Sequence, residues 1–342
     1  MHLISLARTR EMLENSQNPF FVYDSDADGF CSSVLLRRWL ARGSGEIVRS
    51  NPEIDERYAG KALSHGADLV VVLDRHSLGA DFVATLTSAN VPILWIDHHK
   101  TERVEWGDFV YYYNPHFSGD ELSPVTNICY NLTARKEDMW IAMIGCIADH
   151  YLPSFNKDFG KKYKGFWGNV KKPFDAYYDT EIGRLARAIS FGIKDSLSSV
   201  RRIEDFFISC ISPELAREEL DSDSDFAQNV RVFFKRYDEL YAEALRHKGK
   251  LIFFRYAGMT SMSAEIANKL SHNFPKSIIV VAYVKSAISN ISMRGKNVLD
   301  LLNRVLVHFP GASGGGHADA VGMRIKTSLL DEFKERLELE IL

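Results

Sequence analysis

The chain has 342 residues and a formal net charge of −3, so it is long enough for two domains and has no overall basic field to attract a polyanion. Its four cysteines are scattered without a CxxC pair, a pattern typical of a reducing compartment that argues against a thiolate zinc site. The charged amphipathic N-terminus is not a signal-peptide pattern, and no apolar run approaches the length of a membrane span. We therefore expect a cytoplasmic protein without a membrane partner.

Strands alternate with helices in the first half of the chain. Short apolar runs rich in β-branched residues predict strands at 20–24, 68–74 and 92–97. Helical periodicity predicts helices at 29–42, 79–89, 124–134 and 137–151. Strands separated by helices indicate βαβ units, which predicts an α/β domain with a mainly parallel sheet and helices on both faces.

The second half changes character twice. The stretch from about 155 to 250 is largely helical, and strand–helix alternation returns at about 250. Strands are predicted at 250–258, 277–285 and 287–295, with helices at 263–274 and 298–309, then a last strand and a closing helix. We therefore expect two α/β domains joined by a helical connector, with boundaries at 1–195, 196–248 and 249–342.

Acidic and imidazole side chains follow the predicted strands at the point where each strand ends. Three aspartates alternate after the first strand, which puts them on one side of an extended segment, and Gly29 then permits a tight turn. Because ligands of open α/β sheets bind at the carboxyl ends of strands, we expect these side chains to share a site. The candidates are Asp24, Asp26, Asp28, Asp74, Asp97, His98 and His99, together with Asp149 near the end of an apolar helix.

Such a set suits a pair of divalent metal ions. Carboxylate oxygens with one or two imidazoles are ligands for Mn²⁺, Mg²⁺, Fe²⁺ or Zn²⁺, and crowded carboxylates repel one another unless cations intervene. Two ions about 3.5–4 Å apart that share a carboxylate would use all the acidic groups. The alternatives are that the strands simply reach the surface, or that single aspartates such as Asp74 cap helices.

Four of these segments resemble, in order, the four motifs of the DHH phosphoesterase superfamily. They are "DSDADG", the Asp of "VVLDRHS", "DHH" and the Asp of "GCIADH". The later "SMRG" and "GASGGGHADAVG" resemble the DHH-associated substrate domain of the nuclease and phosphodiesterase branches, so the motifs span residues 24 to 322. The resemblance implies a RecJ-like exonuclease or oligoribonuclease (nanoRNase) with its active site between the two domains.

The resemblance also implies a role for each motif residue. Asp74 would bridge two metal ions, Asp26 would bind one of them, and Asp28, His98 and Asp149 would complete the other. The catalytic group would be His99, which faces the scissile phosphate as a donor or proton relay, with Asp97 orienting its neighbour. The alternative for His99 is a hydrogen-bonded core histidine.

One position departs from the family pattern. Val22 stands where many members have a histidine. Asp24 then compensates as a metal ligand, directly or through water, or it is a simple turn residue.

The substrate domain offers phosphate-binding groups. Gly314, Gly315 and Gly316 lack side chains, so their backbone amides can approach a phosphate closely. His317 follows them, and Arg294 of "SMRG" can grip a phosphate with its planar fork.

A lysine–aromatic segment, residues 156–172, follows Asp149. It holds six lysines and one acid, with four aromatic residues between them. Basic groups beside aromatic rings suit single-stranded nucleic acid, which makes Lys161, Lys162 and Trp167 substrate-binding candidates. The alternative is a solvated loop whose aromatic residues pack inward.

The leading hypothesis is a metal-dependent phosphodiesterase that hydrolyses short single-stranded RNA or DNA to mononucleotides by two-metal activation of water. We expect two divalent ions, Mn²⁺ ahead of Mg²⁺. The alternatives are a RecJ-like exonuclease on longer DNA or RNA, a phosphodiesterase or phosphatase for cyclic nucleotides or nucleoside bisphosphates, and a non-enzymatic nucleic-acid scaffold, which would lack metal ligands. A homodimer is the expected assembly if the chain self-associates.

Overall fold

The computed structural model describes residues 1–49, 54–100 and 105–341. The chain folds as two compact units, Met1–Val230 and Arg231–Leu342. The finer division at 195 and 248 stays a prediction. None of the described helices is long and apolar enough to cross a membrane.

The first unit is built on a six-stranded sheet in the order β1-β6-β5-β4-β2-β3, in which every neighbouring pair is parallel. Its strands are β1 (His2–Leu3), β2 (Pro19–Asp24), β3 (Ser44–Val48), β4 (Leu69–Leu73), β5 (Ile93–Ile96) and β6 (Val110–Tyr113). The prediction of a parallel α/β domain is confirmed. The short strands β1, β3 and β6 were not predicted; β3 and β1 form the sheet edges, where little apolar patterning is needed.

Helices connect and cover these strands. In chain order they are α1 (Leu6–Asn15), α2 (Ala27–Leu40), α3 (Glu56–Ser64), α4 (Ala80–Ser88), α5 (Pro115–Ser118), α6 (Val125–Thr133), α7 (Met139–Ala148), α8 (Asn156–Lys162), α9 (Pro173–Asp179), α10 (Glu181–Gly192), α11 (Leu197–Ser209), α12 (Pro213–Asp221) and α13 (Asp225–Ala244). α13 runs from the first unit into the second.

Both faces of this sheet are buried, which explains why β2, β4 and β5 are continuous apolar runs. On one face Phe20, Val70 and Ile93 pack into a core shared with α3 and α4. On the other, the ring of Tyr23 meets Phe30 of α2 edge to face at 6.4 Å.

The second unit contains a mixed five-stranded sheet in the order β10-β11-β9-β8-β7, parallel only between β7 and β8. Its elements are β7 (Leu251–Ala257), α14 (Ser263–Asn273), β8 (Ile278–Lys285), β9 (Ile288–Arg294), α15 (Val298–Leu306), β10 (Ser313–His317), β11 (Ala320–Lys326) and α16 (Leu330–Ile341). α15 and α16 pack on one face. The predicted smaller C-terminal α/β domain is confirmed, and its glycine run forms an exposed edge strand.

Candidate metal centre

The predicted ligands meet at one edge of the first sheet. β2, β4 and β5 are neighbours and run parallel, so Asp24, Asp74 and Asp97 leave the sheet at the same end. Three groups of side chains have ligand atoms within 4.8 Å of one another, and each sequence candidate except Asp97 belongs to at least one group. They are Asp24–Asp26–Asp74, Asp28–His98–Asp149 and Asp74–His98–His99.

Asp26 and Gly29 shape the turn between β2 and α2. Asp26 is the N-cap of α2, and its Oδ1 accepts a hydrogen bond from the Gly29 amide at 2.9 Å. A Cβ on residue 29 would lie 2.7 Å from the Asp24 nitrogen, so only glycine lets the helix start this close to the strand. The turn therefore brings three acidic residues together within five positions.

Asp28 is held by the start of another helix. Its Oδ1 accepts from the Thr126 amide at 2.7 Å, and its Oδ2 accepts from the Val125 amide at 2.9 Å. These are the first amides of α6, where the helix dipole favours a negative charge. Burial nevertheless raises the pKa of Asp28, against the opposing effects of His98 and of the amide hydrogen bonds.

Asp74 is the most constrained ligand candidate. It is only 2% exposed and adopts φ = +59°, a left-handed conformation that non-glycine residues seldom occupy. Its Oδ1 is buried and accepts no hydrogen bond within the described part of the chain. Burial raises its pKa far above the usual range, and the charges of Asp28 and Asp26 raise it further.

The pKa values of two further carboxyl groups in the cluster are also raised. Although part of Asp26 is open to solvent, its carboxyl group lies within the cluster; desolvation and the charges of Asp24 and Asp28 raise its pKa to about 7. Asp149, at the end of α7, is 40% exposed, and its pKa is raised by partial burial and by the charges of Asp28 and Asp26. A cation among these groups would relieve the repulsion.

His98 lies in the middle of the cluster. Its Nε2 is 3.3 Å from Asp74 Oδ1 and 3.9 Å from both Asp28 Oδ2 and Asp149 Oδ2. Burial lowers its pKa despite the charge of Asp28, so the neutral imidazole that binds metals is favoured.

His99 and Asp97 form a separate pair. Asp97 is fully buried, and its Oδ1 lies 2.7 Å from His99 Nδ1. Its other oxygen accepts from the Tyr112 hydroxyl at 3.2 Å, and Asn114 Nδ2 donates to that hydroxyl at 2.8 Å. Burial disfavours the charged imidazolium of His99, but Asp97 outweighs this and raises its pKa.

Arg75 is a charged neighbour that sequence analysis missed. Its Nη1 lies 2.6 Å from Asp24 Oδ1, and its backbone carbonyl accepts from the Trp95 indole at 2.7 Å. Next to it, the His76 ring meets the His99 ring edge to face at 6.0 Å. The sequence could have identified both residues as neighbours of the site, because they directly follow Asp74 in "VVLDRHS".

Two family models match the chain. The model of the DHH family N-terminal domain matches residues 20–151, and the DHHA1 domain model matches residues 249–341. The chain belongs to the DHH superfamily of phosphoesterases. This confirms the family prediction, and the whole carboxylate–histidine cluster lies in the DHH match.

Solved structures show the same fold at low identity. RecJ from Thermus thermophilus in complex with Mn²⁺ is 16% identical with a TM-score of 0.67, over 98% of this chain and 54% of that one. A second manganese-bound exonuclease RecJ is 16% identical with a TM-score of 0.64, over 100% and 95% of the two chains. This chain thus spans about half the length of the Thermus RecJ.

A third similar structure is the pGpG-specific phosphodiesterase from Vibrio cholerae. It is 14% identical with a TM-score of 0.52, over 95% of this chain and 99% of that chain. No match to the chain was found among curated proteins.

The predicted substrate residues of the DHHA1 domain lie on neighbouring strands. His317 at the end of β10 pairs with Ala320 of β11, and Ala320 pairs in turn with Arg294 at the end of β9. Arg294 Nε donates to Asn268 Oδ1 at 2.6 Å, which fixes the guanidinium. Gly314, Gly315, Gly316 and His317 are all exposed.

The lysine–aromatic segment of this DHH protein divides into inner and outer residues. Phe159, Tyr163 and Phe166 are buried, as the alternative interpretation expects. Lys161 and Lys162 are exposed on α8, and Trp167 is half-buried.

Proposed function

We propose that this DHH protein is a divalent-metal-dependent phosphodiesterase that hydrolyses short single-stranded oligonucleotides to mononucleotides. The observation that carries the proposal is the cluster of five aspartates and two histidines at the carboxyl edge of the sheet. Repulsion among these carboxylates destabilises the fold unless the cluster binds cations. A cluster of this kind is therefore a candidate functional site.

The donor set fits metal ions. Asp74 Oδ1 is buried, points into the cluster and accepts no hydrogen bond from the described residues. Five carboxyl groups supply hard oxygen donors, and His98 supplies a neutral nitrogen donor, a mixture that suits Mn²⁺ better than Mg²⁺. The RecJ structures with Mn²⁺ and with Mg²⁺ support the same two metals for this chain.

Two metal positions would share Asp74. Asp24 and Asp26 would complete one, and Asp28, His98 and Asp149 would complete the other, because their ligand atoms group in this way. Divalent ions bound there would supply an activated water and neutralise charge on the phosphoryl group. Asp28 would stay fixed during the reaction, since both of its oxygens accept amide hydrogen bonds.

His99 is the proposed proton donor or relay. Asp97 engages its Nδ1, which fixes the tautomer with Nδ1 protonated and leaves Nε2 for the substrate. Asp97 therefore acts as a positioning residue, through its contact with His99. Hydrogen bonds from Tyr112 and Asn114 hold Asp97 in place.

The DHHA1 domain would hold the substrate away from the metals. A hydrogen bond to Asn268 fixes the Arg294 guanidinium. The backbone of Gly314, Gly315 and Gly316 is exposed and carries no side chains, so a phosphate can approach its amides closely. His317 lies in the same row of strand pairs as Arg294. The placement of the active site between the domains stays a prediction, as do a cytoplasmic location and a homodimer.

Short substrates are favoured over long ones. The Vibrio protein that this chain matches over 99% of its length is specific for pGpG, a dinucleotide. The net charge of −3 also gives the chain no overall basic field to attract long nucleic acid. A RecJ-like exonuclease acting on longer strands is the second candidate, supported by the similarity to two RecJ structures and by the exposed Lys161 and Lys162.

One substrate panel tests the proposal. Purified chain would be incubated with 5′- and 3′-labelled RNA and DNA, from dinucleotides to strands of roughly thirty residues, and with cyclic nucleotides, in Mn²⁺ or Mg²⁺. We expect mononucleotide release with kcat/KM higher for strands of two to roughly ten residues than for strands of roughly thirty, and no release by Asp74→Asn. A preference for the longest strands would favour the RecJ-like function. Absence of hydrolysis of every substrate, or equal hydrolysis by folded Asp74→Asn, would refute the proposal.

A further inference from the structure

A hollow outside the metal cluster lies between the 3₁₀ turn at Lys164–Phe166, the end of α9 and the start of α10. Its volume is about 360 Å³, within the range of small-molecule sites. Trp167 and Tyr178 line it together with Arg184 and Arg187. All of these residues belong to the first unit.

Trp167 is fixed against α8. A Cβ on Gly160 would lie 2.6 Å from Trp167 Cδ1, so only glycine lets the indole lie this close to the helix. The indole also meets the buried ring of Phe159 edge to face at 5.3 Å and 70°. Trp167 is nevertheless only half-buried, so part of the ring stays open to the hollow.

Tyr178 continues a row of nearly parallel rings that starts beside the metal cluster. His150 directly follows Asp149, and its ring stacks on Phe174 at 4.3 Å and 16°. Phe174 then stacks on Tyr178 at 6.0 Å and 18°. The row therefore leads from a residue adjacent to a metal-ligand candidate into the hollow.

Exposure separates these rings from structural ones in the same part of the chain. Phe159 and Phe166 are 0% and 2% exposed, as expected for side chains that only pack. Trp167, Phe174 and Tyr178 are half-buried and present ring surface to solvent. A ligand with a flat apolar face would cover that surface.

The charges indicate how such a ligand would be oriented. Inside the hollow, Arg184 is paired with Asp221 at 2.5 Å and with Glu181 at 3.5 Å, and Arg187 donates to the Tyr177 carbonyl. These pairings leave little positive charge for a phosphate. The same segment of the sequence as Trp167 carries exposed lysines, which are Lys157, Lys161, Lys162, Lys164, Lys171 and Lys172. A base would therefore enter the hollow while its phosphates lie along the lysines.

We infer that this hollow is a stacking subsite for a nucleobase of single-stranded nucleic acid, with Trp167 as the stacking ring and Tyr178, over which Arg187 lies at 5.9 Å, as part of its wall. The inference rests on the proposed function, because it assumes an oligonucleotide substrate. Aromatic stacking accepts any base, so the subsite would add affinity with little sequence preference. Removing one stacked ring should weaken binding roughly five- to hundredfold.

Binding to the metal-free 342-residue chain tests the inference without cleavage. Fluorescence anisotropy in a chelator would measure a labelled ten-residue DNA strand with the parent, Trp167→Leu and Tyr178→Leu. The matched controls are Trp39→Leu and Tyr111→Leu, which remove half-buried rings elsewhere in the same unit. We expect a five- to hundredfold loss for Trp167→Leu, a smaller loss for Tyr178→Leu, whose ring already contacts Phe174 and Arg187, and less than a twofold change for the controls.

A stacking signature separates binding from packing. The fluorescent base 2-aminopurine, placed at successive positions of the strand, should be quenched where it stacks, and Trp167→Leu should abolish that quenching. Trp167→Phe keeps a ring and should restore most of the affinity. Equal affinity of the parent and both ring variants, or equal loss in Trp167→Phe and Trp167→Leu, would overturn the subsite alone. Failure of the metal-free parent to bind any single strand would also overturn the subsite, whereas the proposed function is overturned only if the substrate panel in Mn²⁺ and Mg²⁺ shows no hydrolysis.

Discussion

Removal of metal from the cluster should make the stability of the first unit fall as pH rises from 5 to 7. In the metal-free chain, burial and neighbouring charges raise the pKa of Asp74 far above its usual 3.8. The folded state therefore binds a proton at Asp74 more tightly than the unfolded chain does. A state that binds more protons loses stability as pH rises, so the free energy of unfolding decreases.

The magnitude follows from the number of protons. One carboxyl group that is protonated in the folded state and ionised in the unfolded state lowers the free energy of unfolding by about 1.4 kcal/mol per pH unit. Between pH 5 and 7 Asp74 alone can therefore account for a decrease of at most about 2.7 kcal/mol. The pKa values of Asp26, Asp28, Asp149 and His99 are also raised, so these groups change stability in the same direction and the Asp74 contribution must be isolated by comparison.

Urea unfolding in a chelator, at pH 5, 6 and 7, would measure the effect. All five tryptophans lie in the first unit, so indole fluorescence follows the unfolding of that unit. Asp74→Asn cannot titrate, and its slope should be smaller than that of the parent by up to about 1.4 kcal/mol per pH unit. Asp205→Asn, which changes an exposed carboxylate on α11, is the matched control and should keep the parent slope.

Added Mn²⁺ should reverse the trend, because the ions compete with the protons for the same oxygens. Stabilisation by Mn²⁺ should therefore be larger at pH 7 than at pH 5, and Asp74→Asn should lose most of it. Identical slopes for the parent, Asp74→Asn and Asp205→Asn would refute the reasoning, because Asp74 would then be ionised in the metal-free fold.

Three further outcomes are expected. Arg75→Gln frees the neighbouring carboxylate, so calorimetry should show Mn²⁺ binding a few-fold tighter; unchanged affinity would remove Arg75 from the metal site. Asp97→Asn removes the acceptor that raises the pKa of His99, so the corresponding limb of the pH–rate profile should move to lower pH. A profile that does not move would contradict the pairing. Arg294→Ala and His317→Ala should raise KM for oligonucleotides while Mn²⁺ affinity stays within a few-fold; a collapse of metal binding would show that the DHHA1 residues support the metal cluster.

Much of the candidate centre could be predicted from sequence because it follows from one local rule. Parallel strands end at a common edge, so residues directly after β2, β4 and β5 had to meet. The partners of Asp97 were missed because β6 was not predicted, although its "VYYY" run is aromatic and precedes "NP". Tyr112 and Asn114 reach Asp97 only through the pairing of β6 with β5, which no periodicity reveals.

Contacts between distant segments explain the remaining misses. Nothing in the pattern around Asp28 indicates that its oxygens face the first amides of α6, about a hundred positions later. The lysine–aromatic segment is a second case in which the sequence does not reveal which side chains are buried. Composition identified its aromatic residues, but only packing separates buried Phe159 and Phe166 from half-buried Trp167.

The two central aspartates differ in how their charge is supported, and this difference explains why metal removal should act mainly on one of them. Asp28 has both oxygens bonded to amides at a helix start, so much of its charge is balanced without a cation. Asp74 adopts a strained backbone conformation, and its Oδ1 has no hydrogen-bond donor among the described residues. A buried carboxylate in that situation is stable only if it is protonated or bound to a cation. The fold therefore supports Asp28 through its own backbone and leaves Asp74 dependent on what the site binds.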